Sequence, residues 1–490
     1  MTRARLTLLL LVAVLALGAV VPAAAREPLA AVVHVHSDLS TGELSLEALA
    51  TEAERQRLDA VLLADNYLLR IEYGLPPFRA LTRIAHEERS VLGAGLDRYL
   101  AKIAAVRSQF PRLVIVPGVE VMPHYRWTGS LFAGDLQLHD TQKNLLVYGL
   151  DAAGLAGLPS IGNPHVQHFG GQSVLDALPV LLVIPGLLVL GRKRQQRVRI
   201  ARAFVIVRRR RWAPGLALIT IGLAALVRGW PFTVDAHPFW EDRRLEPHQA
   251  LIEYVAQRGG TTVWSFPEAR DAGERAYGPV RVTWRTDPYA DDLLRTARYT
   301  AFGALYEDTT RFERPGGGWD RALGEYVRGE RSTPAWGLGE SGYHGSAAGK
   351  RLGPVQTIFF ARERSEAAIL EAMRQGRMYA LHRGGAAGLT VAEFAVTDGQ
   401  ASAAIGETLT TAAATPVQVR IAVDATGGPD YAVRVALVRN GSVVAGFTGP
   451  TPVRHVHREV YDGAPAFYRL EVSGPGQGTR LLTNPIFIKP

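Results

Sequence analysis

The stretch AVVHVHSDLSTG, residues 31–42, decides how the rest of the chain is read. Its first half is an apolar, β-branched run, which favours a strand. Strand side chains alternate between faces, so His34 and His36 are expected to project together, with Asp38 continuing the same face. Two imidazoles at this spacing suit one metal ion or two adjacent ones. A lone pair of this kind is also a common packing feature, so its weight depends on what neighbouring strands bring.

Working outward, SLEALATEAERQRL (45–58) carries apolar residues at 46, 49, 50 and 53 and reads as a helix capped by Ser45. DAVLLADN (59–66) is a buried strand that ends on Asp65 and Asn66. LVIVPGVEV (113–121) is another, ending near Glu120, and KNLLVYGL (143–150) is a fourth. PHQALIEYVAQRGG (247–260) reads as a helix stopped by Gly259 and Gly260, and TTVWSFPEA (261–269) as the next strand. GLGESGYHG (337–345) places Glu340 and His344 in a glycine-rich loop, before a helix and strand in SEAAILEAMRQGRMYAL (365–381). Repeated strand-then-helix units predict a parallel α/β core. Polar residues gathered at the ends of such strands predict an active site. Past Arg383 the pattern changes to short alternating strands, with RNGS (439–442) as a hairpin turn, and predicts a β-sandwich over 386–490.

The chain has 490 residues, 47% of them apolar, and no cysteine. Disulfides, thiolate zinc sites and cysteine nucleophiles are thereby excluded, and any metal must be held by His, Asp and Glu. The formal charge of +9 is concentrated in RKRQQRVRIARAFVIVRRRR (192–211), which holds ten Lys or Arg and no acid. The remainder is close to neutral, so the expectation is no nucleic-acid partner. A basic block between apolar stretches reads instead as a membrane topology signal.

Residues 1–25 have the basic start, apolar run and small-residue end of a signal peptide. Residues 174–230 read as a transmembrane hairpin, with apolar stretches at 174–191 and 212–227 around the basic, cytoplasmic block. The main domains are therefore expected to be membrane-anchored on the extracytoplasmic, periplasmic side.

The order HVHSD, LLADN, PGVE, a late His-bearing loop and AILEAMRQGRMYAL resembles the polymerase and histidinol phosphatase (PHP) family. The closing FYRLEV and LLTNPIFI are similar to its exported CehA/McbA-like branch. The resemblance covers roughly residues 30–170 and 231–490. It implies a distorted (β/α)7 barrel in two parts, 26–173 and 231–385, interrupted by the hairpin and followed by the β-sandwich. It further implies hydrolysis, usually of phosphate esters, assisted by a divalent metal (zinc, manganese or iron) and acting on a small-molecule substrate. Carried over by position, the metal ligands are His34, His36, Glu120 and His344, and the aspartate of the second motif is Asp65; the expected catalytic role, orienting a metal-bound hydroxide, falls to Asp65 or Glu340. Four family positions are substituted, by Asn66, Asn144, Phe266 and Gly342. His124, His139 and His237 are the nearby histidines available as replacements. Retention of His34, His36 and Glu120 favours a hydrolase with a reduced metal site, and the four substitutions favour a catalytically inactive scaffold or binding protein of the cell envelope.

Overall fold

The computed structural model describes residues 26–490 apart from 201, 211, 278–279, 309, 386–387, 428–429 and 475–477. The expected signal peptide, 1–25, lies outside the described residues. β1 (Glu27–Val35) carries His34 and ends one residue before His36, and it pairs in parallel with β2 (Ala60–Leu63). The residues just beyond β2 form a short strand, β3 (Asp65–Asn66). β4 (Val114–Val116) extends the first sheet, and β5 (Gly118–Val121) pairs with β3 in a second sheet. That second sheet continues through β6 (Leu145–Tyr148), β7 (Thr261–Trp264), β8 (Ala301–Leu305) and β9 (Trp336–Gly339). Beyond β9 the chain returns to β1: Ser341 N donates to Val33 O at 3.0 Å, and Tyr343 N to His34 O at 3.0 Å.

Most of these pairings are parallel, as the strand-helix alternation predicts. β6 is the exception, running antiparallel to both β5 and β7. Its physical cause is the connection before it. Where a parallel neighbour needs a crossover, the chain between β5 and β6 forms an antiparallel strand pair, Arg126–Thr128 with Asp135–His139.

Local signals are realised closely. The helix Leu46–Arg55 buries Leu46, Leu49, Ala50 and Ala53, and Ser45 Oγ accepts from Ala48 N at 3.3 Å. The helix Glu246–Gln257 is followed by Gly259 at φ 74°. Asn440 and Gly441 take φ of 49° and 84° between two paired strands.

The mixed α/β part is followed by a β-rich region with its own apolar cluster, including Val419, Ile421, Val435 and Leu470. The two parts share a sheet. β10 (Val355–Ala361) pairs with β1, β11 (Met378–His382) pairs with β10, and Arg480–Thr483 pairs with β11.

Two helical stretches, Gly171–Gly191 and Trp212–Gly229, are long and apolar enough to cross a membrane, with mean hydropathies of 2.3 and 1.5. Only 11% and 17% of their residues are buried, so their apolar surface faces outward. They pack on each other where Gly186 and Gly215 let the backbones approach; a Cβ on Gly186 would lie 2.9 Å from Gly215 O. The basic block between them is a two-stranded ribbon, Lys193–Ile200 paired with Ala203–Arg210. At the base, His168 and Val234 exchange backbone hydrogen bonds of 3.0 and 2.9 Å.

Candidate metal centre

The strand ladder breaks at the residue that matters most. His34 has φ 69°, and the β1–β2 register shifts between Val33 and Val35. A left-handed conformation is costly for a non-glycine residue, and such strain concentrates at functional positions. His34 and His36 therefore meet across a bulge rather than by simple alternation, with their Nε2 atoms 2.9 Å apart. β5 brings Glu120 to the same point. Its Oε1 lies 3.5 Å from His34 Nε2, and its Oε2 lies 3.6 Å from His36 Nε2. All three side chains are buried, and their ligand atoms lie within 4.8 Å of one another.

Glu340, just past β9, accepts from His34 Nδ1 at 2.6 Å. It also accepts from Ser265 Oγ at 2.6 Å and Phe266 N at 2.9 Å. A carboxylate on Nδ1 fixes the imidazole tautomer and leaves Nε2 as the lone-pair donor, the usual arrangement behind a metal-binding histidine. Glu340 is thus placed to orient His34. Asp65 has a separate set of partners. Its Oδ1 accepts from Ser37 N (2.7 Å) and Ser40 Oγ (2.6 Å), and its Oδ2 accepts from Ser37 Oγ (2.9 Å). The carboxylate is engaged in holding the loop that follows the HVH stretch.

His344 stacks on His36 with ring centroids 3.8 Å apart, and its Nδ1 lies 3.1 Å from Thr41 Oγ1. It lies beside the converging set and outside it. The spare histidines are elsewhere: His124 Nε2 is 3.2 Å from Pro238 O, and His139 Nε2 is 2.8 Å from Thr128 Oγ1. His237 likewise stands apart from the three converging residues.

The substituted positions have acquired definite contacts. Asn66 Nδ2 donates to Glu120 Oε2 and Asn144 Nδ2 to Glu120 Oε1, both at 2.9 Å. These amides hold the glutamate from both sides without supplying imidazole donors. Phe266, itself at φ 43°, stacks on His34 with centroids 5.1 Å apart. Its ring occupies the space beside Gly342, where a Cβ would lie 2.5 Å from the ring. The changes at 266 and 342 are therefore sterically linked. Ser37, Ser40, Thr41 and Ser265 complete the site, and no spacing pattern marks them out in advance.

Electrostatics favour a cation here. Burial works against a charged His34, but Glu120 and Glu340 overcome it and raise its pKa to about 9. Burial keeps His36 and His344 below their ordinary value of 6.5 and hence neutral. Glu120 is buried too, yet His34, His36 and Asn144 hold it well below the usual carboxylate range. Burial pushes Asp65 upward against the hydrogen bonds from Ser40 and Ser37. Once metal displaces the His34 proton, two imidazole nitrogens and a carboxylate form a donor set that fits a single divalent metal. His36 lacks the support His34 enjoys, because among the described residues its buried Nδ1 has no hydrogen-bond partner.

No family model and no curated protein matches the chain. Among solved structures, it is similar to a two-domain protein from Bacteroides vulgatus ATCC 8482 containing a predicted PHP-like metal-dependent phosphoesterase. The identity is 12%, the TM-score 0.35, and the match covers 91% of this chain and 90% of that one. It is also similar to an amidohydrolase from Chromobacterium violaceum with bound sulfate and no metal, at 14% identity and TM-score 0.29, covering 70% of this chain and 96% of that one. These TM-scores are too low to fix a fold or an activity for this chain.

Proposed function

We propose that the chain is a membrane-tethered, extracytoplasmic PHP-like metal-dependent hydrolase of the phosphoesterase type, working with a one-metal site. The single observation that carries the reading is the convergence of His34 Nε2, His36 Nε2 and the Glu120 carboxylate on one buried point. The motif order agrees with it. So does the return of the chain from β9 to β1, which we read as the closure of a distorted seven-stave barrel.

When bound, a divalent metal such as zinc, manganese or iron supplies Lewis acidity and a nucleophile available at neutral pH. The protein's residues do the rest. His34 and His36 present lone pairs, and Glu120 supplies the compensating charge. Glu340 fixes the His34 ring, and Asn66 and Asn144 fix the Glu120 carboxylate. In this reading the apolar hairpin, 174–230, anchors the chain, and the ten cationic residues between its arms keep that loop cytoplasmic.

A second reading, an inactive scaffold or binding protein, is favoured by one observation. Both Glu120 oxygens already accept amide hydrogen bonds, and Phe266 closes the space beside His34. Metal content separates the two. About one equivalent of metal in the purified protein, absent from a His34→Ala/His36→Ala variant that still folds, supports the hydrolase and warrants a phosphoester screen. No metal in either protein overturns it in favour of the scaffold.

A further inference from the structure

A cavity of about 100 Å³ lies where the apolar helical pair meets the α/β core. Its walls combine three arginines, Arg79, Arg83 and Arg228, with three carboxylates, Glu72, Asp176 and Asp235. Each carboxylate has a partner outside these three arginines, with Glu72 3.2 Å from Arg70, Asp176 accepting from Gln172 Nε2 at 2.9 Å and Asp235 from Gly162 N at 2.9 Å, while the lining arginines pair only loosely with them. Arg79 stands 3.8 Å from Asp176, and Arg83 stands 3.8 Å from Glu72, both longer than a hydrogen bond. Arg228 makes no ion pair among the described residues. The Arg79 guanidinium is fixed by stacking, 3.5 Å above the Trp240 ring and 4.6 Å from Phe239. Its side chain and that of Asp176 are only 11% and 14% exposed, so this is a built recess rather than a scatter of surface charge.

Position selects the ligand. Asp176 belongs to the first turns of one apolar helix, and Arg228 to the last turn of the other, so the cavity opens at the same end of the pair. Exposed apolar side chains surround that end: Phe169, Leu175, Val227 and Trp230 are each more than half exposed. If the helices span a membrane, this is the depth at which phospholipid headgroups lie and at which aromatic side chains collect. A recess with both charge signs suits a zwitterion, whose phosphate meets the arginines and whose ammonium meets the carboxylates. A primary ammonium can donate hydrogen bonds to those carboxylates, whereas a quaternary one cannot.

We infer that this recess binds the headgroup of a zwitterionic phospholipid with a primary ammonium, its acyl chains lying along the exposed faces of the two helices. The inference rests on the membrane reading above and names the lipid that the anchor would hold.

The test uses the full-length chain in mild detergent, with bound lipid followed by native mass spectrometry. Phosphatidylethanolamine, phosphatidylcholine, phosphatidylglycerol and soluble glycerophosphoethanolamine are compared, and alkaline extraction of membranes is run alongside. The expected result is an integral protein that retains phosphatidylethanolamine about tenfold more tightly than the other lipids. Arg228→Gln and Asp176→Asn should each remove most of that preference while leaving thermal stability and metal content unchanged. Lipid retention without headgroup preference in an integral protein overturns the headgroup site alone. Equal affinity for the soluble headgroup overturns a lipid as the source. Release by alkaline extraction overturns the membrane reading together with this inference.

Discussion

Glu340 Oε1 lies 2.6 Å from His34 Nδ1, and both side chains are buried. The pair ties the end of the second sheet to the bulge in β1, so the geometry of the metal centre depends on a contact between residues far apart in the chain.

Glu340→Gln keeps the shape of the side chain and removes its charge. Metal affinity is expected to fall by at least about tenfold, with the fold retained, as measured by competition against a chelator. Unchanged affinity would mean that Glu340 does not position His34.

In metal-stripped protein, His34 carries a raised pKa, about 9 against an ordinary 6.5. The folded state then binds the extra proton more tightly than the unfolded chain does. The stability this contributes is fully present below pH 6.5 and is lost as pH rises through about 9. Urea midpoints should drift downward across that window, and His34→Gln should flatten the drift. Metal, which competes with the same proton, should bind more tightly as pH rises. A pH-independent midpoint for the stripped wild-type chain would refute the charge assignment.

Gly342 and Phe266 are expected to be energetically coupled. Gly342→Ala meets the ring and a φ of 58°, and should cost about 2 kcal/mol. In a Phe266→Ala background the steric part disappears, and the same change should cost less. A double-mutant cycle in urea measures the difference, and strict additivity would rule out the contact.

Arg469 is fully buried and bonds Asp320 through two nitrogens, at 2.6 and 2.8 Å. It joins a strand of the β-rich region to a helix of the α/β part. Asp320→Ala removes two of the guanidinium's four hydrogen bonds while Glu471 Oε1, at 2.7 Å, stays as its carboxylate partner, and should destabilise the protein by about 2–3 kcal/mol, read from the denaturant midpoint. A loss below about 1 kcal/mol would show that water reaches the guanidinium.

Much of this molecule is legible in residues 31–42 and the strand ends that follow. His34, His36 and Glu120 are readable because apolar runs mark the strands, and the polar residues that interrupt them stand out. The sequence does not disclose that His34 abandons strand geometry, since no residue type there demands a positive φ. The reversed direction of β6 is equally hidden, because LLVY has no polarity along the chain. Asn66 and Asn144 read as missing imidazoles; their role as amide donors to Glu120 depends on side-chain orientation, which spacing does not encode. Asp65 reads as catalytic by position, and its hydrogen bonds from Ser37 and Ser40 depend on side-chain orientation that spacing does not encode. The basic block is obvious in composition, whereas its pairing into a ribbon is signalled only by the short Arg and β-branched alternation at 197–200, which charge counting passes over.

The mutual hydrogen bonds of His168 and Val234 have a further meaning. To the folding core, positions 168 and 234 are already neighbours, and the chain between them is a detour that leaves and re-enters at one point. Loop-closure entropy grows only slowly with length, so the core bears little cost for carrying it. A short turn bridging those two residues should satisfy the same backbone groups. The α/β part of the molecule is therefore separable from the apolar helical pair by design of a single junction, and its metal content in free solution becomes an experimentally reachable quantity.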